Sequence, residues 1–138
     1  MSARGGALAT FRRGAGWLHL ALAGLVVAGV CVQVYLIGAY FFGAGSGALD
    51  AHKSAGFVVH AIEVAILVVA MAAWLSWLDL GLSLALAVIG TVQVALADGH
   101  RWVGGLHPLF ALVVLGLAGA LVRRGALRAR RPAPAPGG

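Results

Sequence analysis

Four long apolar stretches with almost no charge dominate the sequence and limit what the chain can fold into. They span residues 17–42, 54–75, 78–97 and 102–122. Each reaches the ~20 residues that an α-helix needs to cross a hydrocarbon core of ~30 Å. Only 10% of the residues are charged, against about 25% in a soluble domain. The sequence therefore predicts an all-α membrane protein with four transmembrane helices.

The links between these stretches are short, and this predicts how the helices are arranged. Short links make consecutive helices antiparallel neighbours, so we expect an up-down-up-down four-helix transmembrane bundle. The segment 1–16 is expected to be a basic N-terminus, and the segment 123–138 a disordered basic tail. The remaining residues are too few for a soluble catalytic domain, so function is expected inside the helices or at their ends.

The basic residues cluster at the two ends of the chain. Eight of the ten Lys and Arg residues precede the first stretch or follow the fourth, whereas Lys53 and Arg101 lie in the links. Segments rich in Lys and Arg stay on the cytoplasmic side of a membrane. We therefore expect a protein of the bacterial inner membrane with both termini in the cytoplasm. On this interpretation the net charge of +6 reflects topology and contact with the lipid bilayer, and we expect no nucleic-acid partner.

An internal repeat relates the first two stretches to the last two. Gln33 in the first stretch and Gln93 in the third each lie between two valines. A pattern of His, a basic residue, two further residues and Gly, followed by a second His, begins at His52 and again at His100. The sequence thus predicts two repeated helical hairpins, each with one Gln and two His residues.

The repeat predicts that two histidines face each other inside the membrane. His60 lies eight residues below His52, and His107 lies seven below His100. These separations are about 12 and 10 Å along a helix. The second and fourth helices run in the same direction, so the two inner histidines lie at matching depth. Two imidazoles on parallel helices suit the two axial positions of a haem.

The residues around the inner histidines fit the same cofactor. A glycine lies about one turn above each of them, so a flat macrocycle would meet no bulky side chain. The basic residue next to each outer histidine is placed to pair with a haem propionate. The predicted cofactor site, with its two axial ligands first, consists of His60, His107, His52, His100, Lys53, Arg101, Gly56 and Gly104.

Other interpretations of these polar residues stay open. In one, the outer histidines are interfacial and the inner pair forms hydrogen bonds across the bundle. In another, His60 and Glu63 lie on one helix face at i and i+3 and share a non-haem metal. Glu63 is otherwise expected to act as a proton relay or as a hydrogen-bonded carboxylic acid. His19 is expected at the membrane interface, and Pro108 is expected to kink the fourth helix.

The pattern resembles one four-helix half of the haem A synthase family. That family has two tandem four-helix bundles, in each of which the second and fourth helices supply histidines to haem. The resemblance covers roughly residues 33–121 and implies that His60 and His107 are the axial ligands. The chain is also similar to an uncharacterised group of small bacterial four-helix membrane proteins. The residues that carry the resemblance are Gln33, Gln93, His52, Lys53, Gly56, His60, His100, Arg101, Gly104 and His107.

Together these features predict a cytochrome b-like protein that binds haem b and transfers electrons within the membrane. The expected partner is a quinone or another redox component. The alternative is a non-catalytic accessory subunit that packs through its glycine-rich faces in a homo-oligomer or a larger membrane complex. The sequence assigns no catalytic residue.

Overall fold

The chain forms a bundle of long helices in the computed structural model, which describes residues 2–97 and 99–130. Four helical segments are long and apolar enough to cross a membrane, and the described residues contain no strand. The prediction of an all-α four-helix transmembrane bundle is confirmed. The helices are α1 (Ser2–Phe41), α2 (Ser46–Ala72), α3 (Trp77–Ala97), the short α4 (Arg101–Gly104) and α5 (His107–Ala129).

Each long helix packs against two of the others. Helices α1 and α3 each contact both α2 and α5. Consequently α1 lies diagonally opposite α3, and α2 lies diagonally opposite α5. The beginning of α1 and the end of α5 lie together at one end of the bundle, which we call the termini end. The opposite end, which we call the far end, carries the link from α1 to α2 and the link that contains α4.

Large apolar side chains cover the outer surface of the bundle. Leu25, Val68, Val88 and Leu112, one from each long helix, are all more than half exposed. A soluble monomer rarely exposes so continuous an apolar surface, whereas lipid covers it at no cost. The chain is therefore a multi-pass membrane protein. The tryptophans near the helix ends are exposed as well, as expected for an aromatic belt, and these are Trp17, Trp74, Trp77 and Trp102.

The buried core occupies only the half of the bundle nearer the termini. Val26, Ile66, Leu86 and Leu121 are fully buried there. In the far half, no described residue between 31 and 62 or between 91 and 113 is buried as a whole. The wholly buried residues thus lie at the termini end, whereas the described residues around His52 and His107 are at most partly buried.

Helix α5 continues beyond the predicted end of the fourth span. It ends at Ala129, so residues 123–129, which the sequence assigns to a disordered tail, are helical. Arg124 and Arg128 lie one turn apart on this helix and both bind Asp79 of α3. This contact holds the last two turns of α5 against the bundle. The rest of the predicted tail, 131–138, lies outside the described residues.

The fourth span is interrupted about one turn before its proline. Helix α4 ends at Gly104, and α5 begins at His107 with Pro108 in its first turn. Proline fits the first turn of a helix because its missing N–H has no partner there in any case. The disturbance expected from Pro108 takes the form of this break, at residues 105 and 106, about one turn before the proline. The proline begins a helix, and His107 becomes the first residue of that helix.

A buried carboxylate joins α3 to α5 at the termini end. Asp79 is 1% exposed and accepts hydrogen bonds from Arg124 Nε and Arg128 Nη1, both at 2.5 Å. Ser76 precedes α3, and its Oγ accepts the Asp79 N–H at 3.2 Å and donates to Asp79 Oδ2 at 2.6 Å. Arg124 Nη2 donates to the same hydroxyl at 3.2 Å. One Ser-x-x-Asp capping motif therefore starts α3 and fixes the end of α5.

Asp79→Asn is expected to destabilise the bundle because it leaves two arginines beside a neutral amide. Removing one partner of a buried ion pair costs about 3–5 kcal/mol. The arginine side chains are 33% and 29% exposed, so we expect a loss of about 2–3 kcal/mol after allowing for solvent screening. Denaturant unfolding of the purified chain in detergent micelles measures this free energy.

Asp50→Asn is the matched control, since it removes an exposed carboxylate from α2 at the far end. Its free energy of unfolding should stay within about 0.5 kcal/mol of the wild-type value. Equal losses in the two variants would show that Asp79 does not hold α3 to α5.

Candidate functional site

Two histidines meet between the diagonal helices α2 and α5 in the far half of the bundle. The ring centres of His52 and His107 are 6.3 Å apart, and the ring planes are inclined at 72°. Both residues are half-buried. The break between α4 and α5 places His107 at the start of its helix, from where its ring reaches His52.

A backbone carbonyl of a neighbouring helix orients each ring. His52 Nδ1 donates a hydrogen bond to the Gln33 carbonyl of α1 at 3.1 Å, and His107 Nδ1 donates to the Gln93 carbonyl of α3 at 2.9 Å. Carbonyl oxygens only accept, so each Nδ1 carries a hydrogen, and each neutral ring keeps its lone pair on Nε2. The internal repeat is thus present as two equivalent hydrogen bonds.

This pairing differs from the one that the sequence predicts. The sequence repeat matches His52 with His100, and His60 with His107. In the structure His52 and His107 are equivalent, because each binds the glutamine carbonyl of its own hairpin. The helix break before α5 shifts the register of the second hairpin, and spacing along the sequence does not reveal this shift. His100 is exposed and precedes α4.

His60 contacts α3 and pairs with Glu63. His60 Nδ1 lies 3.0 Å from Glu63 Oε2, and its Nε2 lies 3.5 Å from the Thr91 hydroxyl. Glu63 is only 2% exposed. A Cβ at Gly90 would overlap the Glu63 carboxylate, so α3 accommodates this carboxylate only because a glycine faces it. The pair is a hydrogen-bonded imidazole and carboxyl group at the boundary between the termini half, which contains the wholly buried residues, and the far half.

The side-chain amide of Gln33 is buried without a hydrogen-bond partner. Neither its Nε2 nor its Oε1 forms a hydrogen bond with the described residues. It lies against Gly56, where a Cβ would come within 3.2 Å of Gln33 Nε2. A buried amide without a partner costs free energy. The Gln33 amide is therefore an unsatisfied polar group beside Gly56, which lies one helical turn from His52 on α2.

The other predicted site residues lie at the far end of the bundle. Lys53 and Arg101 are exposed. Gly104 packs against the backbone of Gly99, where a Cβ would come within 2.7 Å of the Gly99 carbonyl oxygen. The absence of a side chain at Gly104 therefore allows the turn before α5 to close. This differs from the predicted role of Gly104, which was to leave space above His107.

Metal-binding side chains do not gather in larger groups anywhere in the described part of the chain. No three or more His, Cys, Asp or Glu side chains are placed to hold a metal ion together. A zinc site takes about three or four side-chain ligands. The interpretation of His60 and Glu63 as a non-haem metal site therefore finds no third ligand.

A buried histidine near the termini end was missed by sequence reasoning. His19 lies near the termini end but is 0% exposed, a burial that the expectation of an interfacial residue did not include. Its Nε2 lies 3.0 Å from the Ser83 hydroxyl, which donates to the Asp79 carbonyl at 2.8 Å. His19, Ala23, Val26 and Val30 recur at helical spacing along the buried face of α1. This spacing was the signal for burial.

Comparison with protein-family models, curated proteins and solved structures finds no match to this chain. The resemblance to one half of the haem A synthase family therefore stays a prediction.

Gly90→Ala is expected to destabilise the bundle by about 1–3 kcal/mol, the usual cost of overpacking, because its methyl group would displace the Glu63 carboxylate. Gly81→Ala on the same helix is the control, since a Cβ there meets nothing within 4 Å. It should be neutral or stabilising by up to about 1 kcal/mol. Thermal unfolding in micelles compares the two variants.

Replacing Glu63 in the same chain tests the cause of the loss. The double variant Glu63→Ala/Gly90→Ala should be less destabilised than the sum of the two single variants, because the overlap is relieved. Strict additivity would show that Gly90 and Glu63 do not contact each other.

Proposed function

We propose that this protein binds haem b within the membrane and transfers electrons, with His52 and His107 as the two axial ligands. The observation that carries the proposal is the pair of facing rings, each held through Nδ1 by a backbone carbonyl. The axial pair proposed here replaces His60 and His107, which the sequence repeat favours.

The separation of the two rings fits a single metal between them. A metal about 2 Å from each Nε2 places the two ring centres about 6 Å apart, and the ring centres of His52 and His107 are 6.3 Å apart. Hydrogen bonds from Nδ1 to carbonyl oxygens are the usual support of metal-bound imidazole, because they fix the tautomer and increase the basicity of Nε2.

The surroundings of the pair favour a haem over a bare metal ion. The nitrogens of a porphyrin fill the equatorial positions of the iron, so two histidines complete its coordination without a third protein ligand. The described residues around His52 and His107 are at most partly buried. The Gln33 amide, buried without a partner beside Gly56, supplies a donor and an acceptor one helical turn from His52.

The residues of the chain have distinct roles in this proposal. A bound haem would supply a one-electron ferric and ferrous couple. His52 and His107 hold and orient the group, and the apolar helix faces around them limit access of water. Exposed Lys53 and Arg101 at the far end are suited to pair with the propionates. His60 and Glu63 hold one proton between Nδ1 and Oε2 and do not ligate iron.

The location of the site inside a bilayer indicates the partners. Electrons reach or leave such a site through a lipid-soluble quinone or a second membrane protein that docks on the bundle. The excess of Arg at the termini end supports cytoplasmic termini and the bacterial inner membrane.

His52→Gly and His107→Gly are each expected to remove the low-spin haem absorption from protein purified out of haem-supplied membranes. The glycine leaves a space at one axial position, so added imidazole should restore the low-spin spectrum. His100→Gly removes an exposed histidine and is the matched control, which should keep the wild-type spectrum. Absorption spectra of the oxidised and reduced protein, normalised to protein concentration, give the haem content.

His60→Gly separates this proposal from the pairing that the sequence favours. We expect His60→Gly to retain bound low-spin haem, because His60 is hydrogen-bonded to Glu63 and Thr91. Loss of haem in His60→Gly together with retention in His52→Gly would contradict the proposed axial pair. A wild-type protein without haem under these conditions would contradict the function itself.

A further inference from the structure

An arginine-lined cleft of about 590 Å³ lies at the termini end, far from the histidine pair. It is formed by the first turns of α1, the link between α2 and α3, and the last turns of α5. Four of its lining residues are basic, and Asp79 is the one acidic residue among them. The basic residues are Arg12, Arg13, Arg124 and Arg128.

The positive charge in this cleft exceeds what the described residues neutralise. Asp79 accepts hydrogen bonds from Arg124 and Arg128 through one nitrogen of each. The second terminal nitrogen of Arg128, Nη2, is buried and has no partner among the described residues. Arg13 lines the cleft and is exposed. The cleft therefore presents guanidinium groups that favour an anion with several acceptor oxygens.

Arg12 binds the link between α2 and α3, which forms one wall of the cleft. Arg12 donates to the carbonyls of Ala73 and Trp74 at 3.2 and 3.1 Å and lies 5.6 Å from the centre of the Trp74 ring. Trp74 has a positive φ of 46°, an uncommon conformation for a bulky residue. Arg12 thus holds the link between α2 and α3 in a fixed shape.

The cleft also has an apolar side, and this identifies the kind of anion. Trp74, Leu75 and Leu127 line it together with the arginines. An inorganic phosphate would use only the basic groups, whereas a phospholipid has both a phosphate and an apolar body. We propose that the cleft binds an anionic phospholipid, with the phosphate among Arg12, Arg13 and Arg128 and the glycerol and upper acyl chains against the apolar side.

The position of the cleft in the bilayer agrees with this ligand. The exposed Trp74 and Trp77 lie at this end of the bundle, where an aromatic belt marks the level of the lipid headgroups. Basic pockets between transmembrane helices at that level are suited to anionic headgroups. This proposal is independent of haem binding, because it involves none of the residues around His52 and His107.

Titration of the purified full-length chain in detergent with short-chain phosphatidylglycerol tests the proposal. The shift of the thermal unfolding midpoint with lipid concentration gives the affinity. A salt concentration of about 1 M, with a Debye length of about 3 Å, suppresses diffuse attraction to the other arginines. Phosphatidylglycerol should bind at least tenfold more tightly than phosphatidylcholine, because the choline cation beside the phosphate of the latter is repelled by the arginines of the cleft.

Two matched arginine variants distinguish the cleft from general basicity. Arg13→Gln should weaken phosphatidylglycerol binding about tenfold, the effect expected for one charged hydrogen bond. Arg123→Gln removes the same charge from an exposed position outside the cleft and should change the affinity less than about twofold in high salt. Equal effects of the two variants would overturn the cleft as the binding site.

Inorganic phosphate and an apolar variant test the nature of the ligand. Leu127→Ala should weaken binding of phosphatidylglycerol and leave any effect of inorganic phosphate unchanged. If inorganic phosphate raised the unfolding midpoint as effectively as phosphatidylglycerol, the site would be one for free phosphate, and the lipid assignment would be wrong.

Discussion

Helices inside a bilayer gain little from burying apolar side chains against one another, because lipid is as apolar as leucine. Their association depends on close packing and on polar groups that find partners only in a neighbouring helix. In this chain the buried Asp79, held by Arg124 and Arg128, supplies such a contact at the termini end. His52 and His107 supply the corresponding contacts to α1 and α3 in the far half.

The two halves of the bundle therefore differ in character. The termini half contains the fully buried residues and the ion pairs, and it is expected to set the stability of the fold. The far half holds the facing histidines and a Gln33 amide without a hydrogen-bond partner, among residues that are at most partly buried. A well-buried termini half would support the histidine pair of the far half, where the proposed haem would bind.

The helices, their number and their order follow from hydropathy, because a bilayer forces each apolar stretch into a helix of sufficient length. The polar contacts are harder to predict. The break before His107 changes which histidines are equivalent in the two hairpins, and the spacing of the sequence repeat does not indicate this break. The burial of His19 and the Ser76-x-x-Asp79 cap do have sequence signals, in the helical period of α1 and in the capping motif. Asp79 finds its two arginine partners only because α5 extends to Ala129. The run of arginines after the fourth apolar stretch instead suggests a disordered tail, so the sequence does not predict this extension.

The electron paramagnetic resonance spectrum of the oxidised protein, purified from haem-supplied membranes, tests the central claim most directly. The ring planes of His52 and His107 are inclined at 72°. Ferric haem between two imidazoles that are nearly perpendicular gives a low-spin signal of high anisotropy, and this is the predicted result. A high-spin signal from iron with one protein ligand, a low-spin signal typical of parallel rings, or no haem signal would contradict His52 and His107 as the axial pair.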